Sequence, residues 1–147
     1  MISYIDDASR YIVGYGMFDV ATTDNALFVL HELIVDNGKP RQIMTDYGTQ
    51  FCADEENVYR FSETLKGMEI EHIRAKVKRP QSNGKEERWF GTFKKIYFHF
   101  NRNLAKAVAC YDEMIHLSLD ICPAEAYEKK KRILKRRNYE TKSTRGT

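Results

Sequence analysis

Apolar and polar residues alternate in two short segments near the start of the chain. The segments ISYID and RYIVGYGMF are rich in β-branched and aromatic residues, which favour extended strands. Between them, Asp7, Ala8 and Ser9 form a short polar connection with good turn formers. The two segments and their connection predict a β-hairpin.

The next segment, ATTDNALFVLHELIVDNG, has the period of a helix. Thr23 or Asp24 is its predicted N-cap, and Gly38 marks its C-terminal end. Its apolar residues recur at helical spacing and share one face: Leu27, Leu30, Leu33 and Ile34. We therefore expect an amphipathic helix.

Strands and helices then alternate. RQIMTD predicts a short strand that ends on Asp46, and MEIEHI predicts a later one. Between them lies a helix that closes at Gly67 and has an apolar face formed by Val58, Phe61 and Leu65. The order β-β-α-β-α-β, followed by helices to the end, is typical of an α/β sheet with helices on its faces.

Asp46 is a candidate functional residue because ligands bind at strand ends in such sheets. Its carboxylate directly follows an apolar strand and precedes Tyr47-Gly48. The same residue can serve as a turn former, since Asp-x-Gly is common in loops. The residues alone leave both interpretations open.

A further helix is predicted in RPQSNGKEERWFGTFKK, with Ser82 or Asn83 as N-cap and an end near Phe100. Its predicted buried stripe consists of Trp89, Phe93, Ile96 and Phe100. At about 100° per residue, Glu87 lies opposite this stripe, whereas Glu86 lies on its flank. Glu87 is therefore the available carboxylate, although an acid in the first turn also complements the helix dipole.

Composition indicates one domain with an adequate core, since 42% of the 147 residues are hydrophobic. No apolar segment is long enough to span a membrane and no signal peptide is evident, so we expect a cytoplasmic protein. The three cysteines and four histidines show no disulfide or zinc-ligand spacing. We expect no small-molecule cofactor.

Charge is divided unequally between the two halves. Residues 1–72 contain 5 Lys and Arg against 13 Asp and Glu, a balance of 5 − 13 = −8, and residues 73–147 contain 19 against 8, a balance of 19 − 8 = +11. Such a basic half favours a polyanionic partner, nucleic acid above all. The basic run 129–137 is either a DNA-tracking tail or a solubilising helix end, and the sequence does not decide.

Four motifs, taken in order, carry a resemblance to a known family. They are MTDYGTQF, GMEIEH, RPQSNGKEERWFGTFKK and YDEMIHLSLDICPAEAY. Together they resemble the catalytic core of DDE transposases and retroviral-type integrases, in particular the prokaryotic insertion-sequence transposases. The resemblance extends from the start of the chain to Tyr127, so we expect a core domain at 1–127 and a basic C-terminal tail at 128–147.

The resemblance implies a ribonuclease H-like fold with a mixed central sheet flanked by helices. It also implies two Mg²⁺ or Mn²⁺ ions, held by acidic residues, that catalyse phosphoryl transfer on DNA. Asp46 matches the second acid of the family and Glu87 the third. Two hard cations with carboxylate ligands would stabilise the attacking and leaving oxygens of an in-line displacement.

The partners implied are transposon ends and target DNA, bound in a homo-oligomer at the prokaryotic nucleoid. Lys94 matches a position that faces DNA in integrases, and Lys85, Arg88 and Lys95 lie in the same basic segment. We expect these four residues to contact the phosphate backbone with little sequence readout.

The family's first acid lies on an initial strand that precedes the segment matching ISYID, so we expect this chain to be an N-terminally truncated core. Asp6 and Asp7 belong to the hairpin and do not match that acid, but either is a candidate substitute for it. One interpretation is a polynucleotidyl transferase core that is active when the first strand is supplied. The alternative is a non-catalytic fragment that binds DNA or interferes with a transposase oligomer, and a stand-alone ribonuclease H-like nuclease is a third.

Overall fold

A computed structural model describes the backbone of residues 1–45, 55–74 and 80–143. Side chains are described throughout these ranges except at 55–59, 80–87 and 136–143. The chain divides into two compact units. The first comprises Met1–Tyr4 and Val13–Arg88, and the second comprises Ile5–Ile12 and Trp89–Thr147.

The predicted hairpin is present at the start of the chain. Strands β1 (Ile2–Ile5) and β2 (Ile12–Gly16) pair in a two-stranded sheet. The N–H of Asp6 donates to the carbonyl of Tyr11 at 2.9 Å and closes the connection. A connection this short can join only antiparallel neighbours.

Helix α1 (Thr23–Asn37) follows, and its apolar face is the one predicted. Its N-cap is Thr22, one residue before Thr23, the nearer of the two expected positions. The Thr22 hydroxyl accepts the N–H of Asn25 at 3.2 Å. The correction is small because Thr22 and Thr23 carry the same capping group, and only the backbone angles select between them. Gly38 ends the helix at φ 85°, in a region that favours glycine.

Strands β3 (Gln42–Thr45) and β4 (Glu71–Arg74) pair in parallel, with Gln42 opposite Glu71 and Thr45 opposite Arg74. Parallel neighbours require a crossover connection, which here contains helix α2 (Glu55–Gly67). The core of the first unit draws on both sheets and both helices, and its buried members are Ile2, Tyr4, Ala26, Leu27, Val29, Leu30, Leu33, Ile43, Phe61, Leu65 and Ile70. The predicted order of strands and helices is confirmed.

The last three helices lie in the second unit, except that residues 80–88 of the first of them belong to the first unit. Helix α3 (Pro80–His99) begins before the expected caps Ser82 and Asn83, because proline is well tolerated in the first turn of a helix. Helices α4 (Leu104–Glu113) and α5 (Pro123–Ser143) follow, and α5 continues through residues 127 and 128. The buried hydrophobic residues of this unit include Phe93, Ala107, Val108 and Tyr111.

The predicted stripe on α3 is buried to different degrees. Phe93 is 4% exposed, and Trp89, Ile96 and Phe100 are half-buried. The ring of Trp89 stacks on Phe93 with 5.3 Å between centroids, and both rings meet the edge of Tyr111 from α4. The stripe therefore joins α3 to α4 through aromatic packing.

Candidate functional site

Of the two candidate metal ligands, one directly follows strand β3 and the other lies in helix α3. Asp46 comes directly after Thr45, the last residue of β3, and itself lies outside the described residues. Glu87 belongs to α3 by its backbone. The side chains of Lys85, Glu86 and Glu87 lie outside those that the structure describes, so the choice of Glu87 over Glu86 remains a prediction.

The carboxyl end of β3 is fixed by a polar network around His72. The Thr45 side chain is buried, and its Oγ1 lies 2.9 Å from Nε2 of His72. On the other side of the ring, Nδ1 lies 2.8 Å from Oγ of Ser62 on α2. This network therefore ties β3, β4 and α2 together immediately before Asp46.

The environment of His72 favours the neutral form of its ring. Burial lowers the pKa of His72, and the positive charge of Arg74 lowers it further. A neutral imidazole has one donor and one acceptor nitrogen, which matches one hydroxyl on each side. Sequence analysis did not select His72, because its two partners lie 27 and 10 residues away in the chain.

The predicted DNA-contacting residues that are described all face solvent. Arg88, Lys94 and Lys95 are exposed on α3. Exposure is what binding to a phosphate backbone requires. Their role in DNA binding remains a prediction.

Asp6 and Asp7 both have structural partners in the hairpin turn. The Asp6 carboxylate accepts the N–H and the hydroxyl of Ser9, at 2.9 and 2.7 Å, and pairs with Lys130 of α5. Burial disfavours its ionised form, but the bonds from Lys130 and Ser9 outweigh burial and lower the pKa of Asp6. Asp7 is exposed and pairs with Arg10 at 2.7 Å.

The first part of the basic run 129–137 is occupied by contacts within the second unit. Lys129 lies 2.8 Å from Glu125, and Lys130 pairs with Asp6. Lys131 lies 3.9 Å from Glu128 and stands over the Tyr127 ring at 4.8 Å. These three lysines therefore support a structural interpretation of this part of α5.

Two searches over the described residues bear on metal binding and membrane insertion. Within 1–45, 55–74 and 80–143, no group of three or more His, Cys, Asp or Glu residues is placed to hold a metal ion. In the same part of the chain, none of the helices combines the length and the apolar character needed to cross a bilayer.

Comparison with solved structures identifies the fold. The magnesium-bound, trimeric HTLV-2 integrase catalytic core superposes with a TM-score of 0.61 at 20% identity, over 83% of this chain and 80% of that one. The chain has the fold of an integrase catalytic core. The present chain also matches a chain of the simian T-cell lymphotropic virus intasome, which was solved in complex with PP2A regulatory subunit B56 gamma. The TM-score is 0.67 at 21% identity, over 84% of this chain and 46% of that one.

Comparison of sequences also finds a relative that is named as an integrase. This relative is the integrase-like ORF3 protein of Spiroplasma virus SpV1-C74, and it is 29% identical to this chain over 123 residues. The match covers 76% of this chain and 33% of the viral protein, so the chain spans about a third of that relative's length. No family model matches the chain. The resemblance to an integrase or transposase core, and the ribonuclease H-like α/β fold that it implies, are confirmed.

Proposed function

We propose that this chain is the catalytic-core part of a protein that carries out DNA integration or transposition by phosphoryl transfer. The observation that carries the proposal is the integrase-core fold together with two motif carboxylates, one directly after β3 and one on α3. The proposed core occupies residues 1–127, followed by the basic tail. The protein acts on transposon ends and target DNA, as a homo-oligomer, in the prokaryotic cytoplasm and on the nucleoid.

Divalent metal is the cofactor of the proposed reaction. The donor chemistry fits Mg²⁺, because carboxylate oxygens are the hard ligands that this ion prefers. Asp46 and Glu87 would hold the metal, which supplies Lewis acidity to the phosphoryl group when bound. The HTLV-2 integrase core was solved in complex with magnesium, which supports this choice.

The remaining residues bind and position. Arg88, Lys94 and Lys95, with Lys85, would neutralise phosphates along the DNA backbone. His72 holds Thr45 through its hydroxyl and thereby restrains the strand end from which Asp46 follows. Rigid placement of a metal ligand favours reaction because a small misplacement is costly in rate.

A second candidate function is non-catalytic DNA binding, or interference with a full-length transposase by joining its oligomer. It is favoured by the partners of Asp6 and Asp7 in the fold, since Asp6 binds Ser9 and Lys130 and Asp7 pairs with Arg10. This function needs the basic surface and the fold but no complete set of acids.

Mn²⁺-dependent nicking of supercoiled plasmid tests the two functions. Nicking by the wild-type chain that is lost in Asp46→Asn would support the catalytic function and would mean that Asp6 or Asp7 supplies the third acid. The same variant excludes a contaminating nuclease. Salt-sensitive DNA binding without nicking would instead support the non-catalytic function. Absence of both nicking and DNA binding would contradict both.

A further inference from the structure

A basic and aromatic surface lies at the C-terminal end of α3. Phe98 is 51% exposed, and the guanidinium carbon of Arg102 lies 5.5 Å from the centroid of its ring. Lys94 and Lys95 are exposed four and three residues before Phe98, which makes them its neighbours on the helix surface. These four residues are called the terminal patch below.

The exposure of Phe98 is not explained by packing in the core. Phe93 marks the buried face of α3, and five residues later Phe98 lies about 140° around the helix from it. An isolated exposed apolar residue is common on protein surfaces. Phe98, however, is surrounded by cations, and one of them is stacked on its ring.

The position of Arg102 depends on an unusual backbone conformation. Asn101 and Arg102 have φ values of 50° and 63°, in the left-handed region. The N–H of Arg102 donates to the carbonyl of Tyr97 at 2.9 Å, and that of Asn101 to the carbonyl of Phe98 at 3.1 Å. This is the bonding of a Schellman cap, in which Asn is tolerated at the first of the two positions. The left-handed region costs a non-glycine residue about 1–2 kcal/mol.

The charges of the terminal patch are not neutralised within the described part of the chain. There, no carboxylate forms an ion pair with Lys94, Lys95 or Arg102. The lysines 129–131 of α5, in contrast, all pair with acids. The cations of the terminal patch therefore remain available to an external polyanion.

We propose that the terminal patch binds unpaired DNA bases and their phosphates. Phe98 stacks on a base, and Lys94, Lys95 and Arg102 contact the flanking phosphates. An aromatic ring on a basic groove is the usual means of holding single strands, since every base presents a π-face. Bases inside a duplex are already stacked, so the patch selects a single-stranded segment or a frayed end. This inference rests on the proposed function in DNA integration or transposition.

Fluorescence anisotropy of the whole chain, with a labelled single strand and a duplex of the same sequence, tests the proposal. Phe98→Leu keeps an apolar side chain and removes the π-face. We expect it to weaken single-strand binding about tenfold, roughly 1.4 kcal/mol. Duplex binding should change by less than about twofold, because it depends on the phosphate contacts. Phe98→Trp should restore single-strand binding.

Phe28→Leu is the matched control. Phe28 is 58% exposed on α1, and its neighbours four residues away on either side are the acids Asp24 and Glu32. We expect this variant to bind both DNAs like the wild type. Circular dichroism of each variant verifies that the fold is retained.

Each outcome separates this proposal from the proposed function. Wild-type binding that Phe98→Leu leaves unchanged, or weakens equally for single strand and duplex, overturns the role of the patch and leaves the proposed function standing. A wild-type chain that binds neither DNA overturns both.

Discussion

The carboxylate of Asp112 on α4 accepts the backbone N–H of Ile12 at 3.0 Å, across 100 residues of sequence. Both residues are buried, at 5% and 3% exposure. The bond holds the first residue of β2 to α4 within the second unit. Asp112 is thus a buried carboxylate with a structural role.

Asp112 makes the stability of the chain depend on pH. Burial raises the pKa of Asp112 to about 7. The hydrogen bond from Ile12 lowers this pKa and the negative charge of Glu113 raises it, but burial has the largest effect. The pKa of Asp112 in the folded chain lies above its unfolded value of 3.8. The stabilising contribution of Asp112 to the free energy of unfolding is therefore fully present below pH 3.8. It is lost as pH rises through about 7.

Asp112→Asn should therefore stabilise the protein at pH 8. The amide oxygen still accepts the Ile12 N–H, and no buried charge forms. We expect a gain of up to about 4 kcal/mol, at about 1.4 kcal/mol per pKa unit, and a flatter profile of unfolding free energy between pH 4 and 8. Urea denaturation across this range measures it. Asp36→Asn, at an exposed site, should change stability by less than about 0.5 kcal/mol, and an equal gain there would contradict the assignment.

The network around His72 predicts a cost for removing the Thr45 hydroxyl. Thr45→Val keeps the shape of the side chain but leaves Nε2 of His72 without its partner. We expect a loss of about 1–3 kcal/mol in the free energy of unfolding, measured by urea denaturation. Thr45→Ser, which keeps the hydroxyl, should recover most of this loss. Equal losses in both variants would mean that the hydroxyl contributes nothing.

Two glycines predict opposite effects of the same substitution. A Cβ at Gly14 would lie 2.8 Å from Cβ of Leu33, whereas one at Gly91 would meet nothing within 4 Å. Gly14→Ala should destabilise the chain by about 1–3 kcal/mol through overpacking of β2 on α1. Gly91→Ala, inside α3, should stabilise it by about 0.5–1 kcal/mol. Thermal unfolding of both variants measures the difference, and effects of the same sign would be inconsistent with the packing.

The adjacent glutamates of α3 predict a difference in activity. Glu87→Gln should abolish metal-dependent nicking, because it removes a proposed metal ligand, and Glu86→Gln should retain it. The plasmid assay with Mn²⁺ compares the two variants, with salt-dependent DNA binding as the check that each remains folded. Nicking that survives Glu87→Gln but not Glu86→Gln would reverse the assignment.

Much of the fold was predictable because it depends on local periodicity. Alternation in the first segments and the face of Leu27, Leu30 and Leu33 predicted the hairpin and α1, since side-chain direction follows directly from the period of each element. The cap of α1 differed by one residue and α3 began before its predicted cap, because helix ends depend on backbone angles that similar polar residues accept equally. The candidate acids came from a predicted strand end, from the phase of a predicted helix and from the family resemblance, and none of these requires knowledge of a tertiary contact.

What only the tertiary structure decided is which distant residues meet. Lys130 pairs with Asp6 over 124 positions, and Thr45 contacts His72 across the parallel strands. From sequence, Asp6 was a candidate substitute for a metal ligand and the lysines a candidate DNA tail; the structure gives Asp6 and these lysines partners within the fold. Such pairs have no signal in local pattern, because the chain's path between two partners, not its composition near either one, determines their distance.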